Sequence, residues 1–303
     1  GKDMLKVLIL PGDGIGPEIM ASAKTLLTAL AVPIQMSEAL AGGAALAEGL
    51  DLIPPETLAR ITDADATLKG PITTPIGRGF SSVNVSLRQH FELYANVRPI
   101  LSLPGTKARY QDLDLIVVRE NLEGLYSGQG HSLSEDGNRA ELKSIITKAG
   151  SANIIRHAFE TARNLSRKKV TLVHKANIMK STSGLFLSTG REISQAYPDI
   201  AFEEMIVDNC AMQLVMNPER FDIIVTTNLF GDIRDFLGRI AHTYKWCFNF
   251  IAPMIGVEFL YFITQFDHHF IQDFISRLGM KEFHTQGLDN MDWINQGSKE
   301  LTE

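Results

Sequence analysis

The sequence predicts an α/β protein, a sheet of buried strands covered by helices. Short apolar runs alternate with amphipathic segments along most of the chain, the pattern of strands and covering helices. Several of those runs end in stretches dense in Gly, Arg, Lys, Asn and Asp, the composition found where an α/β sheet places its functional groups. With 303 residues at 45% hydrophobic content, the chain can bury a large core in one big or two medium domains.

The first buried strand is Val7 to Leu10. Ile19, Ala23, Leu26, Leu27 and Leu30 then recur at helical spacing and place an amphipathic helix after it. Asp114 to Val118 reads as the next buried strand. From Gly124 to Thr147 the chain turns polar and irregular around a turn at Glu135-Asp136-Gly137, an excursion from the main body. Ile154, Ile155, Ala158, Phe159 and Ala162 mark a second helix. Val170 to Val173, Ala201 to Val207 and Ile223 to Thr226 complete the buried strands. Past Asp232 the composition shifts, and eleven of the 39 residues from Phe236 to Phe274 are aromatic. Trp246 to Phe266 is apolar, but Asn249, Pro253, Glu258 and Gln265 interrupt it, so it does not read as a membrane span. There is no internal repeat.

A net charge of -6 and a pI near 5.8 argue against a nucleic-acid footprint, since no cluster of Lys and Arg offers a surface for phosphates. Cys210 and Cys247 stand in no metal-ligand or CxxC spacing and fit a reducing compartment. Gly1-Lys2-Asp3-Met4 passes straight into an apolar run, so any targeting peptide is expected to be already removed or never present. Cytoplasm, or mitochondrial matrix in a eukaryote, is the expected location.

Five segments carry groups suited to chemistry. Pro11-Gly12-Asp13-Gly14-Ile15-Gly16-Pro17-Glu18 follows a strand and opens a helix, with Pro17 and Glu18 suited to its first turn. Its glycine spacing is not the dinucleotide fingerprint, and a tight turn is preferred to a cofactor loop. Gly70 to Arg98 gathers Thr74, Ser82, Asn84, Arg88 and Arg98, and Arg119 follows. Arginine grips carboxylates with a planar two-pronged fork, so three forks suit a tricarboxylic acid; any one alone reads as a surface ion pair. Tyr126 lies just past a strand, as a functional group or a half-buried packing residue. Lys175 leaves a strand within His174-Lys175-Ala176-Asn177, a proton carrier if cations or burial lower its pKa, otherwise a surface lysine. Asp208, Asp232 and Asp235 are carboxylates after successive strands that could converge on Mg²⁺ or Mn²⁺, while Asp208 and Asp232 could equally cap helices.

Together, in this order and spacing, these motifs resemble the β-decarboxylating dehydrogenases, the isocitrate/isopropylmalate dehydrogenase family, from about Lys6 to Asp232. Ser82 and Asn84, followed by Leu87-Arg88 and Tyr94 to Pro99, look most like NAD-dependent isocitrate dehydrogenase. The resemblance implies metal-dependent oxidative decarboxylation of isocitrate to 2-oxoglutarate, with NAD and Mg²⁺ or Mn²⁺ as cofactors. It implies that Ser82, Asn84, Arg88, Arg98 and Arg119 bind isocitrate, and that Tyr126 and Lys175 are catalytic proton carriers. Asp208, Asp232 and Asp235 would bind the metal, with Thr74 and Asn177 near the nicotinamide. It also implies two domains: a large one from 1–95 and 233–303, and a small one from 96–232 whose segment 124–147 is a dimer clasp. The partner would be a second copy or a sister subunit, with Lys175 and Asp208 serving the partner's site.

After Asp232 the chain departs from the family. Asp235 comes one position early, and no His-Gly loop for the adenosine follows Ile251 to Gly256. His268-His269 is no substitute and reads as structural or exposed. Three readings follow: an active enzyme with a divergent tail, a regulatory subunit that binds isocitrate and metal without dinucleotide, or a chain with an altered end. Homoisocitrate and isopropylmalate are the alternative substrates.

Overall fold

A computed structural model describes residues 4–29, 33–73, 82–102, 110, 112–233, 246–252 and 257–263, with the backbone path alone from 232 onward. The chain runs β1 (Leu5–Leu10), α1 (Gly16–Ala29), β2 (Ile34–Glu38), α2 (Gly43–Ala47), α3 (Pro55–Asp63), β3 (Ala66–Lys69), α4 (Val83–His90) and β4 (Ala95–Leu101). It continues through β5 (Asp114–Glu120), β6 (Ser132–Leu133), β7 (Ala140–Glu141), α5 (Lys148–Asn164), β8 (Lys169–His174) and α6 (Thr182–Ser194). β9 (Ala201–Ile206), α7 (Val207–Met216), β10 (Ile223–Thr226), α8 (Asn228–Ile233), β11 (Trp246–Ala252) and β12 (Val257–Ile263) complete it. All five strands and both helices expected from the apolar patterns are present, though Leu30 lies outside the described residues.

Ten strands form one sheet in the order β2-β1-β3-β11-β12-β4-β5-β10-β8-β9. β1, β2, β3, β12 and β4 run one way, and β11, β5, β10, β8 and β9 run the other. The aromatic segment past Asp232, set apart by its composition, supplies two central strands here. β11 pairs with β3 and β12 with β4, so the hairpin bridges two strands that would otherwise stand apart. No helix among the described residues is long and apolar enough to cross a membrane.

On one face of the sheet, among the described side chains, Val7, Ile9, Leu68, Val97 and Val118 belong to one apolar cluster with Ile19, Leu27, Ile155, Phe159 and Phe186 of α1, α5 and α6. The other face holds two separate apolar clusters. Leu8, Leu10, Ile61 and Leu87 pack under α3 and α4, whereas Leu115, Val117, Met205 and Leu214 pack under α7. Between those clusters the strands present buried polar side chains instead: Thr67 and Lys69 on β3, Asn96 and Arg98 on β4, and Arg119 on β5. Burying polar groups is unfavourable unless partners or a ligand compensate, so this strip is the candidate face for a site.

The glycine turn after β1 is structural, as its spacing suggested. Gly12 and Gly14 adopt φ of 78° and 58°, and the Asp13 carboxylate accepts from the backbone N–H groups of Gly43, Ala44 and Thr73 at 3.0, 2.9 and 2.7 Å. A methyl group at Gly12 would overlap the Pro71 carbonyl, so protein backbone fills the space beside the turn. The excursion at 124–147 folds as the hairpin β6–β7, and in the described residues it pairs with no other strand. The boundary expected at 95/96 falls on the first residue of β4, within an unbroken sheet.

Candidate active site

β4 and β5 are antiparallel, with Asn96 opposite Arg119 and Arg98 opposite Val117. Arg98 and Arg119 therefore share a face as diagonal neighbours, about 7–8 Å apart at their Cα atoms. Both are nearly inaccessible, 3% and 2% exposed. Arg98 Nε donates to Asn96 Oδ1 at 2.6 Å, and Arg119 donates from Nε to the Asn228 carbonyl at 2.7 Å and from Nη2 to Asn228 Oδ1 at 2.5 Å. Each of these oxygens orients the guanidinium whose hydrogen bond it accepts.

Two further elements meet beside Arg119. α4 carries Asn84 and Arg88 four residues apart, hence on one side of the helix, and Ser82 precedes it as an exposed residue whose side chain makes no capping bond. Asn84 Oδ1 is buried with no hydrogen-bond partner among the described residues, an acceptor left for a ligand. Tyr126 stands in a short helical turn after β5, with its ring 5.5 Å from the Arg119 guanidinium carbon. Arg88, Val85, Gln89, Asn121, Leu122 and Tyr126 line one small cleft. Asn121 fixes that cleft by donating from its side chain to the Leu93 carbonyl at 3.1 Å and from its backbone to Tyr94 at 3.0 Å. Glu120, 3% exposed, holds the same loop by accepting from Leu122 and Glu123 N–H at 2.8 and 2.9 Å. Burial pushes its carboxyl pKa up despite those bonds.

Lys175 and Asp208 form a second group. The Lys175 ammonium donates to Asp208 Oδ2, and this lysine holds the Asp208 carboxyl below the usual carboxylate range. Lys175 is thus half-buried and faces an anion, so it is neither the freely exposed surface lysine nor a lysine held against cations. β9 and β10, which precede Asp208 and Asp232, are consecutive in the chain, but β8 lies between them in the sheet. Their ends are therefore about 10 Å apart at normal strand spacing. Neither aspartate stands at the N-cap position of its helix: Asp208 is inside the first turn of α7, whose N-cap is Ile206, and Asp232 lies near the end of α8. Asp208 is an exposed, ionised hard donor, the chemistry a Mg²⁺ or Mn²⁺ ligand requires. The Asp232 side chain, Asp235 and Thr74 lie outside the described residues, which contain no cluster of three metal-ligating side chains. Asn177 is exposed just beyond Lys175.

The structure thus places Arg88 beside Tyr126, Tyr126 beside Arg119 and Arg98 diagonal to Arg119, with Asn84 one helical turn from Arg88; Lys175 and Asp208 follow β8 and β9, two and three strands from β5. Asn228 and Glu123 were missed as structural partners. Asn228 begins the motif Asn228 to Asp235, but its sequence context gives no sign that Arg119, far back in the chain, is its partner.

A sequence profile of the isocitrate/isopropylmalate dehydrogenase family matches residues 6–239. The mitochondrial NAD isocitrate dehydrogenase catalytic subunit 5 of Arabidopsis thaliana is 47% identical over 74% of this chain and 60% of its own length. The chloroplastic 3-isopropylmalate dehydrogenase of Solanum tuberosum is 44% identical over 76% of this chain and 64% of its own. A mitochondrial NAD isocitrate dehydrogenase of the regulatory type from Dictyostelium discoideum is 46% identical over 75% of this chain and 62% of its own. A crystal structure of isocitrate dehydrogenase from Methylococcus capsulatus superposes with a TM-score of 0.79 and 47% identity, covering 85% of this chain and 77% of that one. The chain spans about 60% of the length of such curated relatives. On the family profile and these identities, this chain belongs to the isocitrate/isopropylmalate dehydrogenase family.

Proposed function

We propose that this chain supplies the substrate and metal site of an NAD-linked isocitrate dehydrogenase, which oxidises isocitrate and releases 2-oxoglutarate and carbon dioxide. The arginine cluster carries the reading: Arg98 and Arg119 are buried on one polar strip, and Arg88 lines the cleft beside Tyr126. Several arginines gathered in one region suit a ligand with several carboxylates.

In this reading Arg88, Arg98 and Arg119 hold the carboxylates, and Ser82 and Asn84 receive polar groups of isocitrate at the start of α4. Lys175 and Tyr126 move protons: one takes the hydroxyl proton as the alcohol is oxidised, and the other returns a proton to C3 after carbon dioxide leaves. Asp208, Asp232 and Asp235 would hold the cation, with Thr74 and Asn177 near the nicotinamide. When bound, Mg²⁺ or Mn²⁺ supplies Lewis acidity at the C2 oxygen, and NAD supplies the hydride acceptor. Lys175 and Asp208 lie apart from the arginine cluster within one chain, which favours a site completed by a second copy or a sister subunit. The two-domain division at 95/96 and 232/233, and a clasp role for 124–147, belong to the same proposal. The mitochondrial names of several relatives favour the matrix over the cytoplasm.

The Dictyostelium regulatory chains found by comparison favour a second reading, a protein that binds isocitrate and metal without turning the substrate over. Purified full-length chain is tested with isocitrate, Mn²⁺ and NAD by absorbance of the reduced nicotinamide, alone and with a catalytic sister subunit. The expected result is turnover dependent on isocitrate and metal. Absence of turnover, with isocitrate and Mn²⁺ still raising the melting temperature, moves the assignment to the regulatory reading. Turnover with isopropylmalate alone replaces the substrate. Neither turnover nor stabilisation refutes the proposal.

A further inference from the structure

We propose that Asn228 is a positioning residue that sets the Arg119 guanidinium and couples it to the base of the 124–147 arm. The inference rests on the reading that Arg119 holds a carboxylate of the substrate.

Asn228 is 1% exposed at the start of α8, directly after β10. Its carbonyl and its Oδ1 both accept from Arg119, at 2.7 and 2.5 Å, so one residue occupies two prongs of the fork. The other half of its amide, Nδ2, donates to the Glu123 carbonyl at 3.2 Å. The amide's orientation is therefore dictated. A guanidinium can only donate and a carbonyl can only accept, so Oδ1 must face Arg119 and Nδ2 must face Glu123. Gly231, one turn later in α8, leaves room for the Arg119 methylenes; a methyl group there would overlap the side chain at Cγ and Cδ.

Glu123 carries the connection onward. Its carboxylate accepts from the Thr147 backbone N–H at 3.0 Å and from the Thr147 hydroxyl. Gly124 N–H donates to the Ile145 carbonyl at 2.8 Å, and the two residues form an isolated bridge. Both ends of the arm are thus joined to each other at the point where Asn228 grips Glu123. A shift of the arm base moves the Glu123 carbonyl, and the Asn228 amide turns or loses one of its partners. Because Oδ1 and Nδ2 belong to one rigid plane, that movement reaches Arg119. A fork held in place before the ligand arrives loses less rotational freedom on binding, so disturbing it weakens affinity. By linkage, ligand at Arg119 must also steady the arm base.

The test uses the full chain, isocitrate with Mn²⁺ by titration calorimetry, and amide hydrogen exchange of Gly124 and Thr147. Asn228→Ala removes the Oδ1 bond to Arg119 and the Nδ2 bond to Glu123, leaving only the backbone carbonyl on Arg119 Nε. It is expected to weaken isocitrate binding by about tenfold or more, the effect of losing hydrogen bonds to a charged group, and to speed exchange at both amides by about tenfold. Asn228→Asp restores an oxygen toward Arg119 but turns an oxygen against the Glu123 carbonyl. It should recover binding at least about threefold over Asn228→Ala, part of one charge-assisted hydrogen bond, while the arm amides stay fast. A merely structural role would make the two readouts move together, and that result overturns the proposal, as does unchanged exchange in Asn228→Ala. Arg119→Ala tests the underlying reading separately. If it binds isocitrate like the wild type, the carboxylate assignment fails, while the exchange data still decide the link between Asn228 and the arm.

Discussion

At the scale of single residues, His174 shows how close the site lies to a titrating group. It ends β8 immediately before Lys175, and its Nδ1 accepts from the Ala176 backbone N–H at 3.1 Å, holding the turn that carries Lys175. Burial pushes its pKa below the ordinary value of 6.5, and Arg191 adds to this while Glu204 opposes it. A depressed folded-state pKa means the unfolded chain takes up a proton first as the pH falls. The contribution to stability is complete above about pH 6.5 and is lost as the pH falls through the folded-state pKa, where protonation also removes the Nδ1 acceptor. His174→Asn, which keeps an acceptor near Nδ1 without a titration, should show a smaller drop in melting temperature between pH 7 and 5 than the wild type. Equal drops in thermal melts would refute this. At this scale the sequence pointed to residues that lie near one another, Arg88 beside Tyr126, Tyr126 beside Arg119, and Arg119 diagonal to Arg98. It did not show who holds them, because Asn96 and Asn228 gain their meaning only from strand register and a contact across a long loop.

Among the elements, α5 illustrates how one glycine can reverse the usual sign of a substitution. Thr147 caps this helix by accepting from Gly150 N–H at 3.0 Å, and Glu123 is bound to Thr147 in turn. Gly→Ala within a helix ordinarily stabilises by up to about 1 kcal/mol. At Gly150 the new methyl would overlap the Glu123 carboxylate and force it off Thr147, losing bonds of comparable or greater strength. Gly150→Ala should therefore destabilise by about 1 kcal/mol in urea unfolding, yet stabilise in a Glu123→Ala background, where nothing opposes the methyl. The same sign in both backgrounds would refute the steric argument. The elements most legible in the sequence were those buried on both faces: β1 and β5 carry runs of four apolar residues, and β8 and β10 differ from such a run only by a threonine, whereas β9 is a half-exposed edge strand broken by Glu203 and Glu204. β4 was read only as a motif, because Asn96, Arg98 and Pro99 break its apolar pattern where it faces the polar strip. β3 is four residues long, and β2 lies at the sheet edge with an amphipathic sequence, so neither gives a strong pattern.

For the molecule as a whole, the sheet depends on the segment that composition marked as foreign. β11 and β12 occupy the inner edges of β3 and β4, and aromatic density there signals central strands where family resemblance had ended. A chain truncated after Ile233 leaves both edges unpaired, with backbone donors and acceptors open to other molecules. It should aggregate or lose its near-ultraviolet circular dichroism, whereas the full chain elutes as one species. A truncated form with native dichroism and a single elution peak would refute this dependence. The hairpin also sets an order in time. Leu68 pairs with Phe250 and Val97 with Phe259, so contacts in the middle of the sheet join residues far apart in sequence, the second of each pair made long after the first. Such distant pairing is slow to form, and until it does the nascent chain carries two half-sheets with open edges. This protein therefore has a long vulnerable interval on the ribosome, during which a chaperone that shields strand edges should govern its yield.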